Sequence, residues 1–316
     1  MCIGIYAGDS RKLSVRSCFK DVWNMEQKNG SVVWGLLKPA PTSRKTMDFA
    51  DNALAEKART EKWSVWSLRN GLQTLPDRIG ELLSQNILTK VKLNTPVTGL
   101  ILNQGAKALE VHTADGVEVF DGVIAATYAG RLADVLSDDL GKLKSELRKI
   151  PAVTVAVVNI EFPGELFNYA AFGYLIPSIE NSPLLGVIFD SCLFGEHNNK
   201  LEETTRLTCM MGGAYFEKHF GNPENVNEEE MIQTALKTVA EHLGFDEEPL
   251  RVSLTLHKDC IPQYHVGHHK IVRSVREEIG ERKLRLSLIG SSYDGVSVND
   301  CVLGGRLAAR EVMESL

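Results

Sequence analysis

Residues 286 to 298 hold the arrangement with the clearest chemical use. A short apolar run, Leu286 to Ile289, enters a loop punctuated by Gly290 and Gly295, and a helical pattern opens at about Val298. A strand that breaks at glycine and restarts as a helix leaves the first N–H groups of that helix without intrahelical partners. An electron-rich group such as a carbonyl or an anionic flavin is stabilised there. An ordinary strand–turn–helix corner has the same pattern, so the pattern alone leaves both readings open. The histidines at 257, 265, 268 and 269 are a second dense group. Their HxxHH spacing matches no helical zinc motif, and no nearby carboxylate or cysteine set completes it, so no metal is expected. No Ser-His-Asp or Cys-His arrangement is legible, and no acid–base residue is nominated.

The wording of several segments goes further. GSSYDGVSVNDCVLGGRLAA (290 to 309) closely resembles the C-terminal flavin motif of the animal-type protoporphyrinogen oxidases, a branch of the flavin amine oxidase superfamily. AGDSRKLSVRSCF (7 to 19), WSLRNGLQTLP (66 to 76), FGYLIPS (172 to 178) and HKDCIPQYHVGH (257 to 268) resemble the same family, in the same order. No GxGxxG occurs, although that family opens with a strand, a glycine turn and a helix that hold the FAD pyrophosphate. The resemblance therefore implies the C-terminal two-thirds of such an enzyme, with the first βαβ unit and the arginine that pairs a substrate propionate lying outside this chain.

What the resemblance implies for the site is specific. Val97 would meet the adenine of FAD through its backbone. Val296, Ser297 and Val298 would meet the isoalloxazine, and His269 stands where the family often has a tryptophan near the flavin. Phe172, Gly173 and Leu175 would sandwich the tetrapyrrole, with Met210 beside the pocket. A porphyrinogen is a broad, mostly apolar macrocycle with carboxylates only at its rim, so large apolar side chains suit it and a glycine permits close approach. The implied activity is oxidation of protoporphyrinogen IX to protoporphyrin IX with FAD and molecular oxygen, in haem biosynthesis. The implied setting is a homodimer bound peripherally to the mitochondrial inner membrane on its intermembrane-space side. A shortened, non-catalytic tetrapyrrole-binding or regulatory product is the alternative, and a monoamine oxidase a weaker third, because CIPQY and FGYLIPS fit the porphyrin branch better.

These residues need elements to hold them. A helical pattern covers Leu13 to about Asn29, with Val15, Phe19, Val22 and Met25 on one side. Trp34, Leu36 and Leu37 form a further apolar stretch, and 42 to 62 read as a loop plus an exposed helix. Residues 63 to 83 place Leu72, Leu75, Ile79, Leu82 and Leu83 on one helix face. Asn70 there replaces the family's first glycine and is expected to keep the turn, because asparagine tolerates left-handed backbone. Residues 87 to 127 read as a β-meander through Val91, Leu93, Val97, Leu100 and Leu102, then Leu109, Val111, Val117 and Val119, with a hairpin turn at Ala114-Asp115-Gly116. A charged helix is expected from Arg131 to Lys149. Strands follow at 152 to 162, 172 to 177, 185 to 190, 205 to 211 and 250 to 256, with a helix from Glu228 to Leu243.

The pattern predicts an α/β (α+β) fold: the C-terminal part of a Rossmann-like FAD-binding fold with an inserted mixed-sheet substrate domain, its helices on one side. The expected division is 1–50, remnant of a helical membrane-associated domain; 51–130, second segment of the FAD-binding domain; 131–284, substrate-binding domain; 285–316, C-terminal FAD-binding segment. Composition is globular, with 43% hydrophobic and 24% charged residues in 316, enough for a sizeable core. A net charge of -6 offers no basic field and argues against nucleic acid. The longest mostly apolar stretch, Val153 to Ile160, is far too short to span a bilayer. Six cysteines at 2, 18, 192, 209, 260 and 301, without CxxC, read as buried or half-buried free thiols.

Overall fold

The computed structural model describes residues 2–38, 53–63, 66–103, 108–198 and 202–315. The chain divides into two compact units, one of residues 1–19, 93–193 and 199–316, the other of residues 20–92 and 194–198.

The smaller unit is helical, with helices at Lys20–Asn29, Val32–Leu37, Ala53–Thr60 and Thr74–Ser84. The expected helix from Leu13 to Asn29 is interrupted. Ser14 caps a single turn, Val15–Cys18, and Phe19 leaves the helical region (φ -128°, ψ 56°) before the next helix begins. The exposed helix expected before residue 62 is Ala53–Thr60, while 39–52 lie outside the described residues. Gly71, not Asn70, takes the left-handed backbone (φ +85°), and its N–H closes the turn onto the Leu68 carbonyl at 2.8 Å. Val91 and Leu93 belong to no strand. A strand needs a partner ladder, and among the described residues none pairs with this segment.

Among the described residues the larger unit carries ten strands: β1 (Val97–Asn103), β2 (Ala108–Thr113), β3 (Gly116–Phe120), β4 (Val123–Ala125), β5 (Ala152–Pro163), β6 (Gly173–Leu175), β7 (Leu184–Phe189), β8 (Thr204–Gly212), β9 (Arg251–Pro262) and β10 (Leu286–Leu288). β1, β2 and β3 form an antiparallel meander turned at the expected Ala114-Asp115-Gly116. β4 and β10 pair in parallel, so the strand before the glycine loop lies beside the strand that follows the meander. The remaining five strands run in the order β6-β7-β8-β5-β9. Every pair in that sheet is antiparallel, which corrects the expected mixed sheet. Antiparallel strands need no crossover of a dozen or more residues to return them, and β6 turns into β7 within nine residues (175 to 184).

The helix Glu228–Leu243 lies on one face of the five-stranded sheet, as expected. Asn227 caps it by accepting the Glu230 N–H (3.2 Å), three glutamates occupy its first turn, and Gly244 ends it with left-handed backbone. Its Met231, Ala235 and Val239 meet Ala156, Val158, Ile160, Leu207, Cys209 and Met211 in one buried core. Strand alternation then sends Val155, Val157 and Met210 to the opposite face.

A second core joins residues 129–150 to the parallel pair. Leu132, Leu143, Leu147 and Ile150 pack with Val272, Val275, Leu284, Leu286 and Leu288. The helix expected at 131–149 is split into Ala129–Val135, a 3-10 turn at Asp138–Leu140 and Gly141–Leu147. Leu136 turns extended so that the Ser137 N–H can reach the Leu100 carbonyl at 3.1 Å, tying this segment to β1. The helix His268–Glu281 was not anticipated, yet its buried Val272 and Val275 and the packed Ile279 follow helical spacing.

Candidate functional site

β10 delivers the chain to the glycine loop. The Ile289 N–H bonds the Ala125 carbonyl at 3.0 Å, and Gly290 turns away with φ +96°, where a Cβ would stand 3.1 Å from the Ala126 oxygen. Buried Ser292 then accepts the Ala129 N–H through its hydroxyl at 3.1 Å, which pins the loop to the start of the helix Ala129–Val135 that follows β4. Tyr264 donates its hydroxyl to the Ser291 carbonyl at 2.7 Å. His268 lies flat on the Tyr264 ring, 4.0 Å between centroids, and its Nε2 meets the Tyr293 carbonyl at 3.2 Å. A carbonyl only accepts, so Nε2 carries the proton. Tyr6 meets Tyr264 in a tilted ring contact, 5.8 Å between centroids, and Gln263 donates to the Tyr6 carbonyl at 2.7 Å. Burial drives the phenols of Tyr6 and Tyr264 far up, so both stay protonated donors.

Val296 rests on the cluster of Tyr6, Leu13 and Tyr264. Ser297 caps the C-terminal helix Val298–Ser315: its Oγ accepts the Asp300 N–H at 3.1 Å and donates to Asp300 Oδ2 at 2.6 Å, while its own N–H reaches the same oxygen at 3.3 Å. Gly295 makes room for this, because a Cβ there would fall 2.2 Å from Asp300 Oδ2. The Ser297 side chain is therefore committed to the helix. The first intrahelical bond runs from the Cys301 N–H to the Ser297 carbonyl (3.1 Å), so the N–H groups of Val298 and Asn299 precede it and face outward. This is a donor edge of the kind the pyrimidine side of an isoalloxazine takes. The residues present fit the ring end of a flavin. Among the described residues no GxGxxG turn for a pyrophosphate accompanies them.

His269 is half-buried, and its Nδ1 is buried without a hydrogen-bond partner. Lost solvation, then Arg16, Lys270 and Arg273, hold its pKa below the usual imidazole range, so it is neutral at neutral pH. Among the described residues no His, Cys, Asp or Glu group has the makings of a metal site. All six cysteines are free; Cys260 is exposed rather than buried, and burial pushes the Cys18 thiol up to about 11 and Cys209 up to about 12. Neither is a ready nucleophile. Val97 opens β1 in the separate antiparallel sheet, beside a bulge before Gly99.

The second half of the candidate site is the face of the five-stranded sheet opposite its helix. Leu175 pairs with Gly186, Gly186 with Met210, and Met210 with Val157 in one row across four strands. Leu175 and Met210, both nominated from the sequence, thus flank Gly186, which was not. A Cβ on Gly186 would stand 2.9 Å from Leu175 Cδ2 and 2.5 Å from the Tyr174 oxygen, so its absence lets Leu175 lie over the sheet. A lone glycine inside the apolar run LLGVIF was the available signal. Phe172 is 58% exposed at the mouth of β6. Gly173 holds φ +139° with Val187 O only 2.1 Å from where a Cβ would be, so no side chain fits. Tyr174 points to the helix side and meets His242 Nδ1 at 3.0 Å. Ala7 and Ile3 pack on this face with Val155, Leu185 and Ile261 and touch the cluster of Val157 and Met210, while a Cβ on Gly4 would stand 2.8 Å from Leu175 Cδ1.

The chain is similar to known proteins along nearly its whole length. The chain matches the flavin containing amine oxidoreductase family over residues 1–313. It is 38% identical over 314 residues to the protoporphyrinogen oxidase of Bos taurus and 37% over 313 residues to that of Homo sapiens, covering 99% of this chain and 64% of each relative. The chain thus spans a little under two-thirds of the length of these relatives. A crystal structure of a candidate protoporphyrinogen oxidase from Exiguobacterium sp. 255-15 superposes with a TM-score of 0.73 at 22% identity, over 99% of this chain and 62% of the other. That likeness supports the mixed α/β fold.

Proposed function

We propose that this chain, which belongs to the flavin containing amine oxidoreductase family, serves an FAD-dependent oxidase that converts protoporphyrinogen IX to protoporphyrin IX with molecular oxygen, in haem biosynthesis. The observation that carries the reading is 37–38% identity to protoporphyrinogen oxidases across 99% of the chain. The two halves of the candidate site support it.

A flavin, when bound, supplies the two-electron acceptor for a methylene bridge of the macrocycle and passes the electrons to oxygen. The chain's own residues bind and orient. Val296 to Val298 would hold the ring edge through the open first turn of the C-terminal helix, with Val97 toward the adenine and His269 nearby. Tyr264, His268 and Ser292 keep that loop in place. Leu175, Met210 and Phe172, with Gly173 beside them, offer an apolar floor that strips water from the macrocycle and sets its angle. Orientation of this kind is the main contribution a protein makes when the cofactor carries the chemistry.

On this reading the parallel pair and the C-terminal helix belong to the cofactor domain (51–130 and 285–316). The five-stranded sheet lies within the substrate domain (131–284), and residues 1–50 belong to a membrane-associated helical domain. Peripheral attachment to the mitochondrial inner membrane, and a homodimer there, complete the proposal. Among the described residues no helix is long and apolar enough to cross a membrane. The helix Val32–Leu37 exposes Val33, Trp34, Leu36 and Leu37, a composition suited to the lipid interface.

The test is turnover by the complete gene product. Porphyrinogen should be converted to fluorescent porphyrin with oxygen uptake and flavin bleaching under anaerobic substrate. Turnover of amines with none of porphyrinogen would overturn the proposal.

A further inference from the structure

The face of the five-stranded sheet opposite its helix, partly covered by Ile3 and Ala7, changes character along its strands. The row of Leu175, Gly186, Met210 and Val157 is apolar. Two residues further along lie Gly173, Ile188, Thr208, Asn159 and Ser253, in register from β6 to β9. Two further still, Arg206 pairs with Glu161 and Glu161 with Arg251, while Asp190 follows the end of β7. At about 3.3 Å per residue the passage from apolar row to charged row covers roughly 13 Å.

The charged end is a groove of about 640 Å³, lined by Asn159, Glu161, Asp190, Arg206, Thr208 and Arg251 among others. Of its carboxylates, Asp190 is held by a hydroxyl and Glu161 has a loose ion pair with Arg251. The Thr208 hydroxyl donates to Asp190 Oδ2 at 2.7 Å, and Glu161 stands in register between the two arginines. Arg251 is different. It sits on the edge strand, its side chain is 85% exposed, and its Nε is 3.9 Å from Glu161 Oε2, too long for a hydrogen bond. Its guanidinium thus lines the groove with only a loose ion pair to the sheet.

Resting on the porphyrinogen reading above, we infer that Arg251 receives a carboxylate at the rim of the macrocycle, with the ring system over Leu175 and Met210. A flat apolar disc with carboxylates on short arms at its edge is the chemistry that an apolar, then hydroxyl and amide, then guanidinium series recognises. Arg251 is a specificity-determining residue for the acid edge and takes no part in electron transfer. Glu161 competes with the substrate for it.

The test is fluorescence titration of the purified chain, in mild detergent, with protoporphyrin IX and with its dimethyl ester. Arg251→Gln should weaken binding of the acid about three- to tenfold, as for an exposed charge-assisted contact, and leave the ester unchanged. Glu161→Gln should tighten the acid and leave the ester unchanged. Circular dichroism of both variants checks that the sheet is intact, and an Arg251→Lys chain gives a folded partial rescue. Equal shifts for acid and ester, or no shift for either, would overturn the inference while leaving the porphyrinogen reading standing. Failure of the unaltered chain to bind either porphyrin would sink both.

Discussion

Ser297 and Asp300 behave as one device, because each satisfies the other across the first turn of the C-terminal helix. Ser297→Ala should cost about 1 kcal/mol of stability. Asp300→Ala should cost a similar amount, and the double change should cost clearly less than the sum. Urea denaturation of the three variants measures this, and strict additivity would show that the cap is not reciprocal. Two glycines make a sharper contrast at the same scale. Gly173→Ala drives a Cβ into the Val187 carbonyl, 2.1 Å away, at φ +139°. It should cost more than about 2 kcal/mol and disturb β6. Gly244→Ala, at φ +71° with nothing within 4 Å, should cost only about 1 kcal/mol. Equal losses at the two sites would mean that backbone conformation, not the clash, sets the cost.

Among the elements, the helices that carry buried charge set the pH response. Glu278 is 4% exposed on the unanticipated helix His268–Glu281, within 2.5 Å of both Lys142 Nζ and Arg282 Nε. Hydrogen bonds from Lys142 and then Arg282 lower its pKa, and the Glu278 hydrogen bond raises that of Lys142. A carboxyl depressed in the folded state stabilises above its unfolded pKa, about 4.3, and loses that contribution as pH falls through the lower folded value. The raised lysine stabilises below its unfolded pKa, about 10.4, and loses its share as pH rises through the folded value. Thermal stability should therefore fall below about pH 4 more steeply than in Glu278→Gln, which removes the titrating group; parallel acid limbs would refute the assignment. This element was legible in outline only. The helix Glu228–Leu243 and the start of the C-terminal helix were readable because caps mark them: Asn227 and Gly244 for one, Ser297 for the other. The strands β5 and β8 announced themselves by β-branched and apolar runs. What could not be read locally depended on distant partners. Val91 and Leu93 have strand composition without a ladder, the 131–149 helix breaks to satisfy Leu100, and Gly186 matters only because Leu175 crosses over it. Sequence likeness named Leu175 and Met210, but only register shows that one glycine separates them.

For the molecule as a whole, the decisive features are the N–H groups that precede the first bond of the C-terminal helix and the strand edge left open among the described residues. β10 pairs with β4 through the Arg285 carbonyl and the Ile289 N–H, so alternation turns the N–H and C=O groups of Leu286 and Leu288 the other way. Both residues are buried, yet among the described residues β10 has no second neighbour. Helix residues Ile279, Leu307, Ala308 and Val312 line a cavity of about 570 Å³ beside that edge. An unpaired, apolar-walled edge of this kind invites association between chains. Flavin binding faces a related deficit. The open N–H groups of Val298 and Asn299 suit the ring, but a flavin held without a pyrophosphate cradle forgoes several charge-assisted hydrogen bonds of roughly 1.5 to 3 kcal/mol each. Losing three weakens binding about a thousandfold or more, since 1.4 kcal/mol is tenfold. The 316-residue chain, purified by itself, should therefore be colourless after gel filtration and should elute as associated species. Added flavin should quench weakly, at concentrations far above those of an intact flavoprotein. Replacing Leu286 and Leu288 by threonine would reduce association only if the β10 edge drives it. A monomer that keeps one flavin per chain through the column would refute both expectations at once.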